Sequence, residues 1–108
     1  MVKKLLISTT PTITGRTISK HLGIVKGNTI RSRHVGRDIM AGFKTIVGGE
    51  IKSYTRMTDT ARKEAFNRMI NEAVDLKADA IVSVRFSTSM VMQGASEMLA
   101  YGTAVKLK

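Results

Sequence analysis

The spacing of apolar residues predicts two helices in the middle of the chain. Between Gly36 and Glu50 the apolar side chains recur at the intervals of one helix face, and the pair Gly48-Gly49 can adopt the left-handed backbone that ends a helix. A longer helix is predicted over roughly 53–77. Its apolar stripe repeats every three or four residues and consists of Tyr54, Met57, Ala61, Ala65, Met69, Ala73 and Leu76.

Two strands are predicted before these helices. The first covers residues 4–9, and the second begins at Ile18 and continues towards residue 31. Alternation in the second strand predicts Ile18, Leu22 and Ile24 on one face and Val25 on the other. The pair Gly27-Asn28 is either a tight turn or a kink in a continuous strand.

Two further strands are predicted after the helices. The first covers residues 80–88, with Ala80, Val82, Val84 and Phe86 on one face. Residues 93–96 form the predicted hairpin loop, and residues 99–107 alternate again. This order predicts an α+β fold in which an antiparallel sheet carries one short and one long helix on one face.

The last predicted strand has apolar or small residues on both of its faces, whereas the two helices can cover only one face of the sheet. The other face therefore needs a partner, which a second copy of the chain would supply. We accordingly predict a homo-oligomer.

Composition limits the possible classes of protein. The 108 residues predict a single domain, 1–108, and 43% hydrophobic content predicts a folded one. The absence of cysteine excludes disulfides, thiolate catalysis and cysteine-ligated zinc. The first residues lack a complete signal peptide, and no stretch approaches the roughly 20 apolar residues of a membrane span. We therefore expect a cytoplasmic protein with no membrane partner.

The net charge of +10 is concentrated in the first half of the chain, where residues 1–57 contain eleven Lys or Arg and two acidic residues. Such a half attracts nucleic acid or small anions, or is simply a solvated face. The candidate phosphate contacts are Arg16, Arg31, Arg33, Arg37, Lys44, Lys52 and Arg56. Aromatic residues are few, however, and no strand interleaves them with Lys or Arg, so the sequence shows no platform for stacking bases.

The other candidate chemistry is sparse. His21 and His34 have no acidic residue or cysteine at a recognised ligand spacing. Met90 and Met92 would place two thioethers on one strand face, with Met98 across the hairpin, which suits either a soft metal ion or an oligomer interface. No triad, nucleophile elbow or phosphate-binding loop is present, so we do not expect an enzyme and we predict no cofactor.

The charged residues around the short helix are the other candidate site. Arg37 either pairs with Asp38 or contacts an anion, and backbone donors at the helix start can hold a phosphate or carboxylate. Plain helix capping explains the same residues. Glu50 completes this group after the two glycines.

Several motifs together resemble the YbjQ-like family over essentially the whole chain. They are Arg37-Asp38-Ile39, Ala41-Gly42-Phe43-Lys44, Ile46-Val47-Gly48-Gly49, Ser8-Thr9-Thr10-Pro11, Ser53-Tyr54, Ala78-Asp79-Ala80-Ile81-Val82 and Tyr101-Gly102-Thr103-Ala104-Val105. The resemblance implies a dodecin-like α+β subunit, a ring-shaped homo-oligomer, expected to be a pentamer, and a family label of heavy-metal binding. The chain departs from the family's usual residues at Glu50, Thr55 and Lys77. At the position of Lys77 the family usually has glycine.

These observations leave two hypotheses for function. The first is an oligomeric scaffold that binds a small anionic ligand, with Arg37, Asp38, Gly48, Gly49, Glu50 and Tyr54 as candidate ligand-binding residues and no metal site. The alternative is binding of nucleic acid or another polyanion through the basic N-terminal half.

Overall fold

The computed structural model describes residues 4–32 and 50–108, and for 31–32 and 50–57 it describes the backbone alone. It contains strands β1 (Leu6–Ile7), β2 (Ile18–Ser32), β3 (Ala80–Met92) and β4 (Ala95–Leu107), and helix α1 (Glu50–Asp75). The short helix predicted before Gly48 lies outside the described residues. In these residues no helix is long and apolar enough to cross a membrane.

The predicted α+β class is confirmed, but the sheet is mixed, not antiparallel. Its strand order is β1-β3-β4-β2, and β1 runs parallel to β3 while the other two pairings are antiparallel. The reason is the connection from β1 to β2, because these strands lie at opposite edges of the sheet. The chain must pass across the sheet between them, and Ile13 in this connection packs on the face of the sheet that helix α1 does not cover, which we call the outer face.

Helix α1 lies on one face of the sheet, mainly over β2 and β4. The predicted stripe is confirmed at Ala61, Ala65, Met69 and Ala73, which are buried, but not at Leu76, which follows the end of the helix and is 43% exposed. The stripe's small residues permit a close approach to β2. A Cβ added at Gly27 would collide with the backbone of Ala65 and Met69 and lie 2.6 Å from Arg68 Cβ, so only glycine fits there.

The helix bounds differ slightly from the prediction. It begins at Glu50, where a carboxylate suits the positive end of the helix dipole, and it ends at Asp75. The end is a Schellman motif, in which Ala78 N–H donates to Ala73 O (3.0 Å) and Lys77 N–H to Val74 O (2.9 Å). Lys77 takes the left-handed position of this motif at φ 61°.

Strand β2 runs through Gly27-Asn28 without a turn. The predicted assignment of its faces is wrong at Leu22, which packs under the helix with Val25, whereas Ile24 is 75% exposed on the opposite face. Irregularities in the pairing with β4, one of them between His21 and Gly23, change which side chains face the helix. Gly23 takes a φ of 126° at this point.

Strand β3 extends beyond the predicted residue 88 to Met92, and the turn into β4 is shorter than predicted, with Gly94 at φ 81°. Its pairing is irregular between Val82 and Arg85, and Ser83 takes a φ of 55°. This bulge corrects a second prediction. Val82 packs on the outer face, whereas Val84 and Phe86 lie on the helix side.

Strand β4 confirms the predicted burial on both faces. Met98, Ala100 and Ala104 pack under α1, while Val105 joins a second cluster on the opposite face. Beyond the small second cluster, this outer face carries exposed apolar side chains, including Ile24 and Ile30.

Candidate functional site

The candidate ligand-binding residues lie mostly outside the described part of the chain. Arg37, Asp38, Gly48 and Gly49 fall within 33–49, and Glu50 and Tyr54 are described only as backbone in the first two turns of α1. The site therefore stays a prediction. The same holds for most of the candidate phosphate contacts, since Arg16 alone among them has a described side chain, and it is exposed.

The described residues do not fit a heavy-metal site. No three of their His, Asp or Glu side chains come close enough together to hold an ion. His21 is exposed and lies opposite Val105, and His34 is outside the described residues.

The methionines do not converge either. Met90 pairs with Ser96 and Met92 with Ala95, consecutive residues of β4, so the two thioethers lie on opposite faces of the sheet. The expectation that they share a face is therefore wrong. Met98 is 7% exposed, and its sulfur accepts a hydrogen bond from the Thr88 hydroxyl (3.2 Å).

The motif Ser8-Thr9-Thr10-Pro11 holds the chain against the β3 bulge. Ser83 N–H donates to Thr10 O (3.0 Å), and Val84 N–H donates to Ser8 O (3.1 Å). Thr10 N–H in turn donates to the Ser8 hydroxyl (3.0 Å). Arg85 closes the contact, because one of its guanidinium nitrogens donates to Thr9 O (2.8 Å) and to Val84 O (2.9 Å). The motif is thus structural, and it fixes the position of a cation.

That cation belongs to a row of three side chains on the outer face, which we call the tyrosine row. Tyr101 on β4 lies directly opposite Arg85 on β3 and directly opposite Lys26 on β2. Side chains opposite each other in this way have Cβ atoms about 5 Å apart. Tyr101 is 38% exposed, and both cations are exposed. In the described residues neither cation makes an ion pair.

Sequence reasoning missed this row because it searched along single strands. The three residues lie far apart in sequence, and only the strand order and register bring them together. To find the row by comparing positions across strands, one would have to know beforehand that β3 has a bulge at Ser83, because this bulge sets the register of Arg85. No local residue signal gives that bulge.

The two edges of the sheet differ in what protects them. At the β2 edge, Glu72 on α1 accepts a hydrogen bond from Lys26 N–H (3.2 Å), and Arg68 donates to Asn28 O (2.5 Å). Helix side chains therefore occupy backbone groups that another strand could otherwise pair with. A salt bridge from Arg68 to Glu64 (3.1 Å) supports this arrangement.

At the other edge, β1 covers only the beginning of β3. The part of β3 over Arg85–Met92, which we call the β3 arm, has β4 on one edge. No described strand pairs with its other edge. Every residue of the β3 arm is exposed, and its apolar members include Phe86 (46%), Met90 (75%), Val91 (51%) and Met92 (61%). Phe86 is partly supported by stacking on Phe66 of α1, with ring centroids 6.2 Å apart. Among the described strands, the β3 arm is thus an apolar edge with no partner strand.

Comparison with known proteins gives consistent matches over nearly the full chain. The model of a family described as "Putative heavy-metal-binding" matches residues 5–108. A UPF0145 protein of Archaeoglobus fulgidus is 58% identical over 108 residues, which is 100% of both chains. A UPF0145 protein of Photobacterium profundum is 63% identical over 103 residues, 95% of this chain and 100% of its own.

One solved structure is also similar. It is the crystal structure of a protein of unknown function, of the DUF74 family, from Pediococcus pentosaceus. It superposes with a TM-score of 0.64 and covers 96% of this chain and 98% of its own, at 19% sequence identity. A likeness at that identity bears on the fold alone.

Proposed function

The chain belongs to the YbjQ-like family, and on that premise we propose that it is a non-catalytic scaffold whose copies join through the β3 arm into a ring. The observation that carries this proposal is the difference between the two sheet edges. Helix side chains occupy the β2 edge, whereas no described strand pairs with the β3 arm, which carries exposed Met90, Val91 and Met92. A second copy of the chain supplies the partner.

The resemblance implies about five copies in the ring. An odd-numbered ring needs a head-to-tail contact, in which the β3 arm of one copy meets a different surface of the next. Burial of the exposed apolar side chains would stabilise this contact by roughly 25 cal/mol for each Å² removed from water. The family's described activity, heavy-metal binding, has no part in the proposal because the described residues do not fit such a site.

Sedimentation velocity tests the assembly. The wild-type chain is expected at several times its 11.8 kDa mass, about five times if the ring is a pentamer. Val91→Lys places a charge in the β3 arm and should shift the chain towards monomer, because a lysine on a strand edge opposes pairing. Val74→Lys is the matched control, since Val74 is similarly exposed, at 57%, but lies on α1.

The proposal fails if the wild-type chain is a monomer at micromolar concentration. It also fails if Val74→Lys dissociates the assembly as fully as Val91→Lys does. Circular dichroism of each variant checks that the subunit is still folded, so that a loss of assembly is not confused with unfolding.

The ligand-binding part of the hypothesis has its own test. A thermal-shift screen of anionic metabolites should find one that raises the melting temperature at high salt as well as at low salt. Arg37→Ala should abolish this stabilisation if Arg37 holds the anion. Stabilisation that survives Arg37→Ala unchanged would remove Arg37 from the site.

A further inference from the structure

We infer that the tyrosine row on the outer face binds nucleotide units, with a base stacked on Tyr101 and the phosphates beside that base held by Arg85 and Lys26. The shared chemistry is that of an aromatic base joined to a phosphate, either as a free nucleotide or within a single strand. All three residues lie on one chain, and only Arg85, the first residue of the β3 arm, is shared with the proposed assembly contact.

The arrangement has the two components that such ligands require. Single-stranded nucleic acids are held by exposed aromatic rings on which bases stack and by cations that follow the phosphates. Tyr101 is an exposed aromatic ring in the middle strand of three, and a cation flanks it on each neighbouring strand. In the described residues the two cations have no acidic partner that would compete with a phosphate.

Both cations are attached to positions that the fold controls. The guanidinium of Arg85 is fixed by its hydrogen bonds to the carbonyl oxygens of Thr9 and Val84, so it does not need to be ordered again when an anion binds. The backbone N–H of Lys26 is held by Glu72. The long side chain of Lys26 leaves its ammonium free to follow a phosphate.

The outer face beside Tyr101 carries groups that suit a base. Ile24, opposite Thr103, gives an exposed apolar surface on one side of Tyr101. On the other side Asn28 offers an amide, which donates to Glu97 (3.0 Å). Apolar contact for a ring therefore lies beside polar groups that can reach its edge. The chain's net charge of +10 favours anionic ligands in general.

Fluorescence anisotropy tests the inference with a labelled single-stranded oligothymidylate as the probe. Thymidine monophosphate, inorganic phosphate and a duplex of mixed sequence serve as competitors. We expect the single strand to bind more tightly than the duplex and the monophosphate to compete better than phosphate. Binding by the free nucleotide as well as the strand would identify the nucleotide as the unit recognised, whereas binding by the strand alone would identify the polymer.

Variants assign the binding to the tyrosine row. Tyr101→Leu should weaken binding by between roughly fivefold and 150-fold, whereas Tyr101→Phe keeps the ring and should stay within about twofold of wild type. Lys26→Gln should reduce the slope of log affinity against log salt by about 0.7, the value for one phosphate contact on a single strand. Lys63→Gln is the control of equal charge change, because Lys63 lies on α1 and pairs with Asp59 (3.1 Å).

Four results would overturn the inference. These are no binding of the strand, equal affinity for duplex and single strand, wild-type affinity in Tyr101→Leu, and equal competition by phosphate and the monophosphate. The mass of every variant is measured alongside. A monomer that binds through Tyr101 would refute the proposed assembly and leave the inference standing, and an oligomer that does not bind would do the reverse.

Discussion

Two described residues other than glycine have a left-handed backbone, Lys77 at φ 61° and Ser83 at φ 55°. An L-residue pays roughly 1–2 kcal/mol for this conformation because its Cβ approaches the following carbonyl oxygen. Hydrogen bonds at each site hold the conformation in place. At Lys77 they are those of the helix end, and at Ser83 the N–H donates to Thr10 O.

The first prediction concerns Lys77, where the family resemblance led us to expect glycine. Lys77→Gly should raise the free energy of unfolding by about 0.5–1 kcal/mol, because relief of the left-handed strain exceeds the extra chain entropy of glycine in the unfolded state. Urea denaturation measures the change. The gain in stability is partly offset, because the substitution also removes the favourable interaction of the lysine charge with the helix dipole.

Lys77→Ala is the control for this prediction, since it removes the charge but keeps the Cβ. It should leave stability unchanged or slightly lower. Equal stabilisation by alanine and glycine would show that the charge, and not the backbone conformation, is unfavourable at this position.

At the scale of the element, β2 depends on α1 for its protection as well as for its packing. Gly27 allows the strand to lie against the backbone of the helix, which brings Glu72 and Arg68 within reach of the strand's edge. The helix therefore occupies the edge of β2 at Lys26 and Asn28, near the middle of a strand of fifteen residues.

The second prediction follows from this closure. Glu72→Ala should increase hydrogen exchange at the Lys26 amide, because its carboxylate acceptor is gone, and should cause light scattering that grows with protein concentration as β2 edges pair. Asp75→Ala is the control, since Asp75 is an exposed acid one turn further along α1. Unchanged exchange at Lys26 would show that Glu72 does not protect the edge.

The sequence predicted those elements whose signal is local and periodic. The burial of Ala61, Ala65, Met69 and Ala73 follows directly from helical spacing, and the two-faced burial of β4 follows from its alternation. The bulges in β2 and β3 were not predictable in this way. Each inserts one residue and exchanges the faces of everything beyond it, which is why Leu22 was predicted beside Ile24 although it packs on the same side as Val25.

The candidate site residues also divide into those that a local sequence signal can identify and those that it cannot. Arg37 and Asp38 could be singled out because they are neighbours in sequence, and they stay a prediction. Tyr101, Lys26 and Arg85 could not, because the pairing of β4 with β2 on one side and with β3 on the other decides their proximity. Long-range pairing of this kind leaves no pattern within a window of ten or twenty residues.

At the scale of the whole molecule, charge acts in opposite directions on the two proposals. A chain with a net charge of +10 repels other copies of itself, whereas it attracts nucleotides. Added salt screens both interactions, with a screening length near 10 Å at 0.1 M.

The third prediction is therefore that added salt changes self-association and nucleotide binding in opposite directions. Raising the salt from about 0.05 to 0.5 M should strengthen self-association, because screening reduces repulsion while apolar burial is retained. The same change should weaken binding of the single-stranded probe. Sedimentation and anisotropy on one preparation measure both. Assembly that weakens with salt would point to an interface built on ion pairs, contrary to the apolar β3 arm.

The pairing of β1 with β3 and of β2 with β4 also determines when the sheet can form during synthesis. Both early strands leave the ribosome before their partners exist, because α1 and the two later strands are translated afterwards. Until then β2 has neither the strand beside it nor the helix that covers its edge. The nascent chain thus exposes an extended, aggregation-prone segment for the whole time that α1, β3 and β4 are being made. We expect chaperones to bind the nascent chain mainly during this period.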